Sequence, residues 1–114
     1  MSSLQGHLDT QGQGMSKSAS PAERRYLGRV AELGCCLCRH LGLGTTPAQI
    51  HHIKEGQGLS QRAEHWLAVP LCREHHLGES GLHSLGTKGF YTRYNLDELD
   101  LLAFTIEWMH SDQS

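Results

Sequence analysis

Leu71-Cys72-Arg73-Glu74-His75-His76-Leu77, residues 71–77, carries the spacing from which the architecture follows. Cys72 and His75 stand three positions apart, close enough for two side chains in one tight turn to reach a common ion. The counterpart lies upstream in Cys35-Cys36-Leu37-Cys38, where Cys35 and Cys38 keep the same interval. Two matched half-sites predict a tetrahedral zinc site of three thiolates and one imidazole: Cys35, Cys38, Cys72 and His75. A redox dithiol is the competing use of a C-x-x-C pair, but no βαβ pattern surrounds this one. Cys36 cannot easily share the ion while both its neighbours hold it, and it reads as a small packing residue. Pairing of Cys36 with Cys38 is the minor alternative.

The histidines extend the pattern. Ile50-His51-His52-Ile53 sits in an apolar run with strand character, where adjacent side chains point to opposite faces. One imidazole can then hold a metal while its neighbour acts on water, a division of labour that suits hydrolysis. The second pair, His75-His76, opens a helical segment, so His75 can face zinc while His76 faces His51. His83 follows in a Gly-rich stretch and is a third candidate ligand. Neutral imidazoles as a group favour a transition metal over Mg²⁺, which prefers oxygen.

Composition agrees with a metal-stapled domain. In 114 residues, apolar types make up 38% and Phe, Trp and Tyr only 6%, so the core is small and gains from a metal staple. Nine histidines accompany the four cysteines. Three of those cysteines fall within four positions, poor geometry for two intramolecular disulfides. Residues 1–20 lack the apolar centre of a secretion signal, and no apolar run approaches a membrane span. We therefore expect a reducing, cytoplasmic compartment with thiolate ligands, and no membrane partner. A net charge of −2 argues against a broad basic nucleic-acid surface. Bound divalent ions would add charge to that sum. The acids also gather late, at Asp97, Glu98, Asp100, Glu107 and Asp112, leaving a middle rich in Arg and Lys.

Along the chain, residues 1–19 are expected to form a disordered tail and residues 20–114 the domain. Ser20-Pro21-Ala22-Glu23 predicts a capped helix start, with Gly34 at its end. Residues 39–46 read as a loop. Ala48–Ile53 and Trp66–Leu71 are strand candidates joined through a Gly56-Gln57-Gly58 turn. A helix starts near Cys72, and residues 78–89 read as irregular because of their glycines. Phe90–Tyr94 is an aromatic patch suited to the core. Asn95-Leu96-Asp97-Glu98 predicts a second capping box, followed by an amphipathic helix to about His110 with Leu99, Leu102, Ala103, Ile106 and Met109 inward.

Taken together, the C-x-x-C pair, His51-His52-Ile53 and Leu71-Cys72-x-x-His75-His76 resemble the HNH nucleases that carry a zinc knuckle. The fuller string is similar to the phage recombination-enhancement family of RecA-dependent nucleases. It comprises Leu27-Gly28-Arg29-Val30, Ile50-His51-His52-Ile53, Gly56-Gln57-Gly58, Gln61-Arg62-Ala63, Pro70-Leu71-Cys72, His75-His76 and Gly81. The resemblance implies an α+β fold: a small ββα-metal, treble-clef-like core with a zinc knuckle, flanked by N- and C-terminal helices. It implies a structural Zn²⁺ and one catalytic divalent ion (Mg²⁺, Mn²⁺ or Zn²⁺). His51 matches a metal ligand, His52 the general base and His76 the helix-borne ligand, with His83 an additional candidate. The middle Asn of the HNH name has no match between His52 and Cys72, and His65 is the nearest candidate for its orienting role. The implied substrate is single- or double-stranded DNA, with a RecA-type recombinase filament as partner. Arg62, Arg73 and Lys88 are candidate phosphate contacts. A non-catalytic zinc-knuckle nucleic-acid-binding module and a small hydrolase acting on RNA are the rival classes.

Overall fold

Ser20 opens helix α1 (Pro21–Glu32) through the expected capping box. Its hydroxyl accepts from the Glu23 amide at 3.1 Å, and the Glu23 carboxylate accepts from the Ser20 amide at 2.8 Å. Such a cap contributes about 1 kcal/mol. Gly34, at φ +80°, takes the left-handed turn that ends the helix. The chain then enters the cysteine cluster, with the Cys35 amide donating to the Thr46 carbonyl at 2.9 Å. The computed structural model describes residues 18–53 and 61–113, without the side chains of residues 61–63, 112 and 113. Most of the tail expected over residues 1–19, the Gly56-Gln57-Gly58 turn and the Arg62 side chain lie outside the described residues.

Cys36–His40 form a short helix, α2, so the loop expected over 39–46 begins two residues late. The two strands are shorter than expected, β1 (Gln49–His52) and β2 (Ala68–Leu71), and pair antiparallel with His51 opposite Val69. Trp66 closes a 3-10 helix over Gln61–Trp66 rather than opening β2. Pro70 is tolerated because each strand of a two-stranded sheet has a free edge. All four β2 residues are buried, whereas His51 alone is buried in β1. Helix α1, the knuckle helix α2 and the last helix, α5 (Glu98–Gln113), all pack on β2. The hairpin is followed at once by α3 (Arg73–Leu77), with Cys72 as its extended N-cap residue. This completes a ββα unit within an α+β fold.

The glycine-rich stretch departs from expectation. Leu82–Tyr94 form α4, with Gly86 breaking it at φ 75° and ψ 171°. Two helical pieces therefore meet at one glycine where an irregular loop was expected, and the Phe90–Tyr94 aromatics belong to the second piece. Phe90 is fully buried beside Leu37, Leu71 and Leu101. Asn95 is not a helix start. It adopts the left-handed conformation (φ 61°) and terminates α4. The cap of α5 (Glu98–Gln113) lies two residues on: Asp100 N–H donates to Asp97 at 2.9 Å and Asp97 N–H donates to Asp100 at 3.0 Å. The face that α5 buries also differs from the expected one. Leu99 and Ile106 are exposed, and the buried stripe is Glu98, Leu101, Leu102, Thr105 and Met109. Among the described residues, no helix is long and apolar enough to cross a membrane.

Gly81 sits where the chain turns from α3 into α4. A Cβ there would lie 2.5 Å from the Glu74 carbonyl oxygen and 2.8 Å from the His75 carbonyl carbon. Backbone, not a flexible side chain, would have to move. Gly81→Ala is therefore expected to lower stability by about 1–3 kcal/mol, as overpacking does. A denaturant midpoint equal to that of the native protein would show that the turn yields freely.

Candidate functional site

The knuckle forms where the start of α2 meets the start of α3. Cys35, Cys38, Cys72 and His75 are all buried, and their ligand atoms converge. His75 Nδ1 lies 3.7 Å from Cys35 Sγ, 3.5 Å from Cys38 Sγ and 3.4 Å from Cys72 Sγ. Cys38 Sγ and Cys72 Sγ are 3.9 Å apart. With Zn–S bonds of about 2.3 Å and Zn–N of about 2.0–2.1 Å, a tetrahedron has S···S edges of roughly 3.8 Å and S···N edges of roughly 3.5 Å. The observed edges are close to these values and all four ligand atoms lie within 4.8 Å of one another, so the residues fit a zinc ion. Electrostatics agree: burial pushes the Cys35 thiol up to about 12, with Cys72 and Cys38 adding repulsion. The Cys38 amide donates to Cys35 Sγ at 3.4 Å and works the other way. A divalent cation removes that penalty by holding the thiolates outright. Burial likewise lowers the pKa of His75, keeping the imidazole neutral for ligation.

Cys36 lies outside this group, as expected of a packing residue. It is fully buried, and burial pushes its thiol up to about 12. All four cysteines are free thiols, so the Cys36–Cys38 pairing is not formed.

The second cluster lies on the other side of α3. His51 from β1, His76 from α3 and His83 from the first turn of α4 bring one ring nitrogen each within 4.8 Å of one another. Ring centroids are 5.2 Å apart for His51–His76, 5.4 Å for His51–His83 and 4.8 Å for His76–His83. A tetrahedral ion with bonds of about 2.0–2.1 Å needs N···N edges of roughly 3.3–3.4 Å. Side-chain rotation of about 1.5 Å or less closes that gap. Burial, then repulsion from His51 and His83, lowers the His76 pKa to about 4. At neutral pH this ring is an uncharged donor of a lone pair. The geometry, with the neutral His76 ring, therefore suits a divalent cation.

Two outer contacts orient this cluster. His76 Nδ1–H donates to Gln49 Oε1 at 2.8 Å, which places the lone pair of the neutral ring on Nε2. His51 Nε2 donates to the buried Glu98 carboxylate at 2.6 Å. Neither Gln49 nor Glu98 was among the sequence candidates. Glu98 reads as one more acid in an acidic helix start. Its signal lies in its position, three and four residues before Leu101 and Leu102 and so on the buried stripe.

His52, next along β1, faces elsewhere. Its Nε2 lies 3.2 Å from His65 Nδ1 in the 3-10 helix, and the rings meet edge-on at 5.2 Å. The two rings are thus within one hydrogen bond of each other. Burial lowers the His52 pKa, and His65 and His51 add repulsion. Arg73 on α3 and Lys88 on α4 are exposed.

No curated protein matches the chain. The family model described as "Recombination enhancement, RecA-dependent nuclease" matches residues 19–89, more than half of the chain. That span contains both half-sites of the knuckle, both histidine pairs, His65 and His83. The chain belongs to the recombination enhancement, RecA-dependent nuclease family.

Proposed function

We propose that the chain is a metal-dependent endonuclease of the HNH, ββα-metal type that hydrolyses DNA phosphodiesters during phage or prophage recombination. The observation that carries this is the convergence of His51, His76 and His83 beside an independently oriented His52–His65 pair. A binding module built on the knuckle alone has no use for either group.

The residues divide the work as follows. Cys35, Cys38, Cys72 and His75 hold a structural zinc that fixes α2 against α3. His51, His76 and His83 hold the catalytic divalent ion, which when bound stabilises charge on the phosphoryl and leaving oxygens. His52 is the general base. With Nε2–H donated to His65, its Nδ1 lone pair takes a proton from water as the water oxygen bonds to phosphorus and the ester P–O bond breaks. The lowered pKa of His52 keeps that lone pair free at neutral pH. His65 is a positioning residue, filling the role of the missing Asn. Arg62, Arg73 and Lys88 contact backbone phosphates and offset the net negative charge of the chain. The family's name points to a RecA-type filament as the partner that presents the DNA.

The test is cleavage of plasmid and single-stranded DNA, and of RNA, with Mg²⁺, Mn²⁺ or Zn²⁺ added, with and without a recombinase filament. DNA cleavage is expected to require the ion. His51→Ala and His76→Ala are each expected to lose the ion and to cut at least about 100-fold more slowly, with zinc content and fold retained. Cutting by His51→Ala at the native rate would remove the trihistidine site from the mechanism. Cleavage of RNA alone would change the substrate class.

A further inference from the structure

Glu98 opens α5, beyond residue 89 where the family match ends. It is only 5% exposed, and its partner His51 only 4%. A carboxylate in such a place is costly unless its oxygens are satisfied. As an anchor for α5 it would be a poor choice, because a buried polar pair is often no more stabilising than apolar residues of similar volume. Leu101, Leu102 and Met109 already bury the same face of the helix. What a carboxylate does, and an apolar side chain cannot, is accept the Nε2–H of His51.

We propose that Glu98 is a positioning residue for the ion bound by His51, which rests on the trihistidine site proposed above. By accepting from Nε2 at 2.6 Å it fixes the tautomer with the lone pair on Nδ1. It also holds the ring plane and raises the donor strength of that nitrogen. Gln49 sets His76 the same way from β1, accepting from Nδ1 and freeing Nε2. The two histidines thus present opposite ring nitrogens, one set by a carboxylate from α5 and one by an amide from the hairpin. The C-terminal helix thereby completes a metal centre whose ligands all come from the family-matched segment.

The experiment titrates Co²⁺ into full-length protein already loaded with zinc at the thiolates, followed by calorimetry and visible absorption. Glu98→Gln keeps the volume but offers a neutral acceptor, and Glu98→Ala removes the acceptor. We expect affinity for Co²⁺ to fall about 10-fold in the first and about 100-fold in the second, within the range typical of such outer partners. Zinc content should stay at one equivalent, and the Co²⁺ absorption bands should shift in Glu98→Gln. A purely structural role would lower the melting temperature and leave both affinity and bands unchanged. His51→Ala serves as the reference. If it binds Co²⁺ as tightly as the native protein, the trihistidine site itself is refuted. If it loses Co²⁺ while Glu98→Gln retains native affinity and spectrum, the role of Glu98 is refuted and the site stands. Should Glu98→Ala fail to fold, Glu98→Gln alone decides.

Discussion

Serine in place of Cys38 is expected to unfold the domain. Structural zinc contributes an apparent binding free energy of about 10–16 kcal/mol in small zinc domains, against a total folding stability of about 5–15 kcal/mol for an ordinary domain. Cys38 lies within 3.5 Å of His75 and 3.9 Å of Cys72, so its thiolate would be one corner of a zinc tetrahedron. Its loss would also leave three buried ligands without a cation to hold them. Zinc content should drop from one equivalent towards zero, and circular dichroism should show no cooperative melt. Chelating zinc from the native protein should give the same unfolded state. Cys36→Ala is the control: equally buried, but outside the cluster, it should keep zinc and lose roughly 1 kcal/mol to a small cavity. A cooperative melt and full zinc content in Cys38→Ser would contradict the knuckle.

The second large effect falls on catalysis alone. His52→Ala should slow DNA cleavage by about 10²–10⁴-fold, the usual contribution of a positioned general base. Because His52 is half-buried and lies outside both ligand groups, zinc, the second ion and the fold should be retained. His65→Ala should give a smaller loss, since His65 contacts His52, the proposed base, and is given no contact with the reacting atoms in that mechanism. Measured at saturating metal, the two losses separate chemistry from ion binding. Cleavage by His52→Ala at the native rate would move the base elsewhere.

Much of the site could be read from residues alone, because its information is local. A C-x-x-C or C-x-x-H interval places two donors in one turn whatever the rest of the chain does, and adjacent histidines diverge by the geometry of strand and helix alike. The Ser20 capping box and the Gly34 turn are equally local, and both were legible. What escaped depends on the frame. Glycine content hid α4, because only Gly86 actually breaks that helix and Gly89 sits within it. Asn95 and Asp97 both suit a cap, and the choice falls to Asp97 because Asn95 is spent in a left-handed turn ending α4. The face of α5 that packs on β2 and α2 is one residue off the expected stripe, which leaves Leu99 and Ile106 outward and brings Glu98 in. The contact between Glu98 and His51 spans 47 positions, and no local pattern announces it.

Anomalous scattering from crystals grown with zinc and soaked in Mn²⁺ bears most directly on the arrangement as a whole. Two peaks are predicted: zinc at the centre of Cys35, Cys38, Cys72 and His75, and manganese bonded to Nδ1 of His51, Nε2 of His76 and His83. A zinc peak at the sulfurs with no second ion among the three imidazoles would leave a folded knuckle without a metal centre for cleavage.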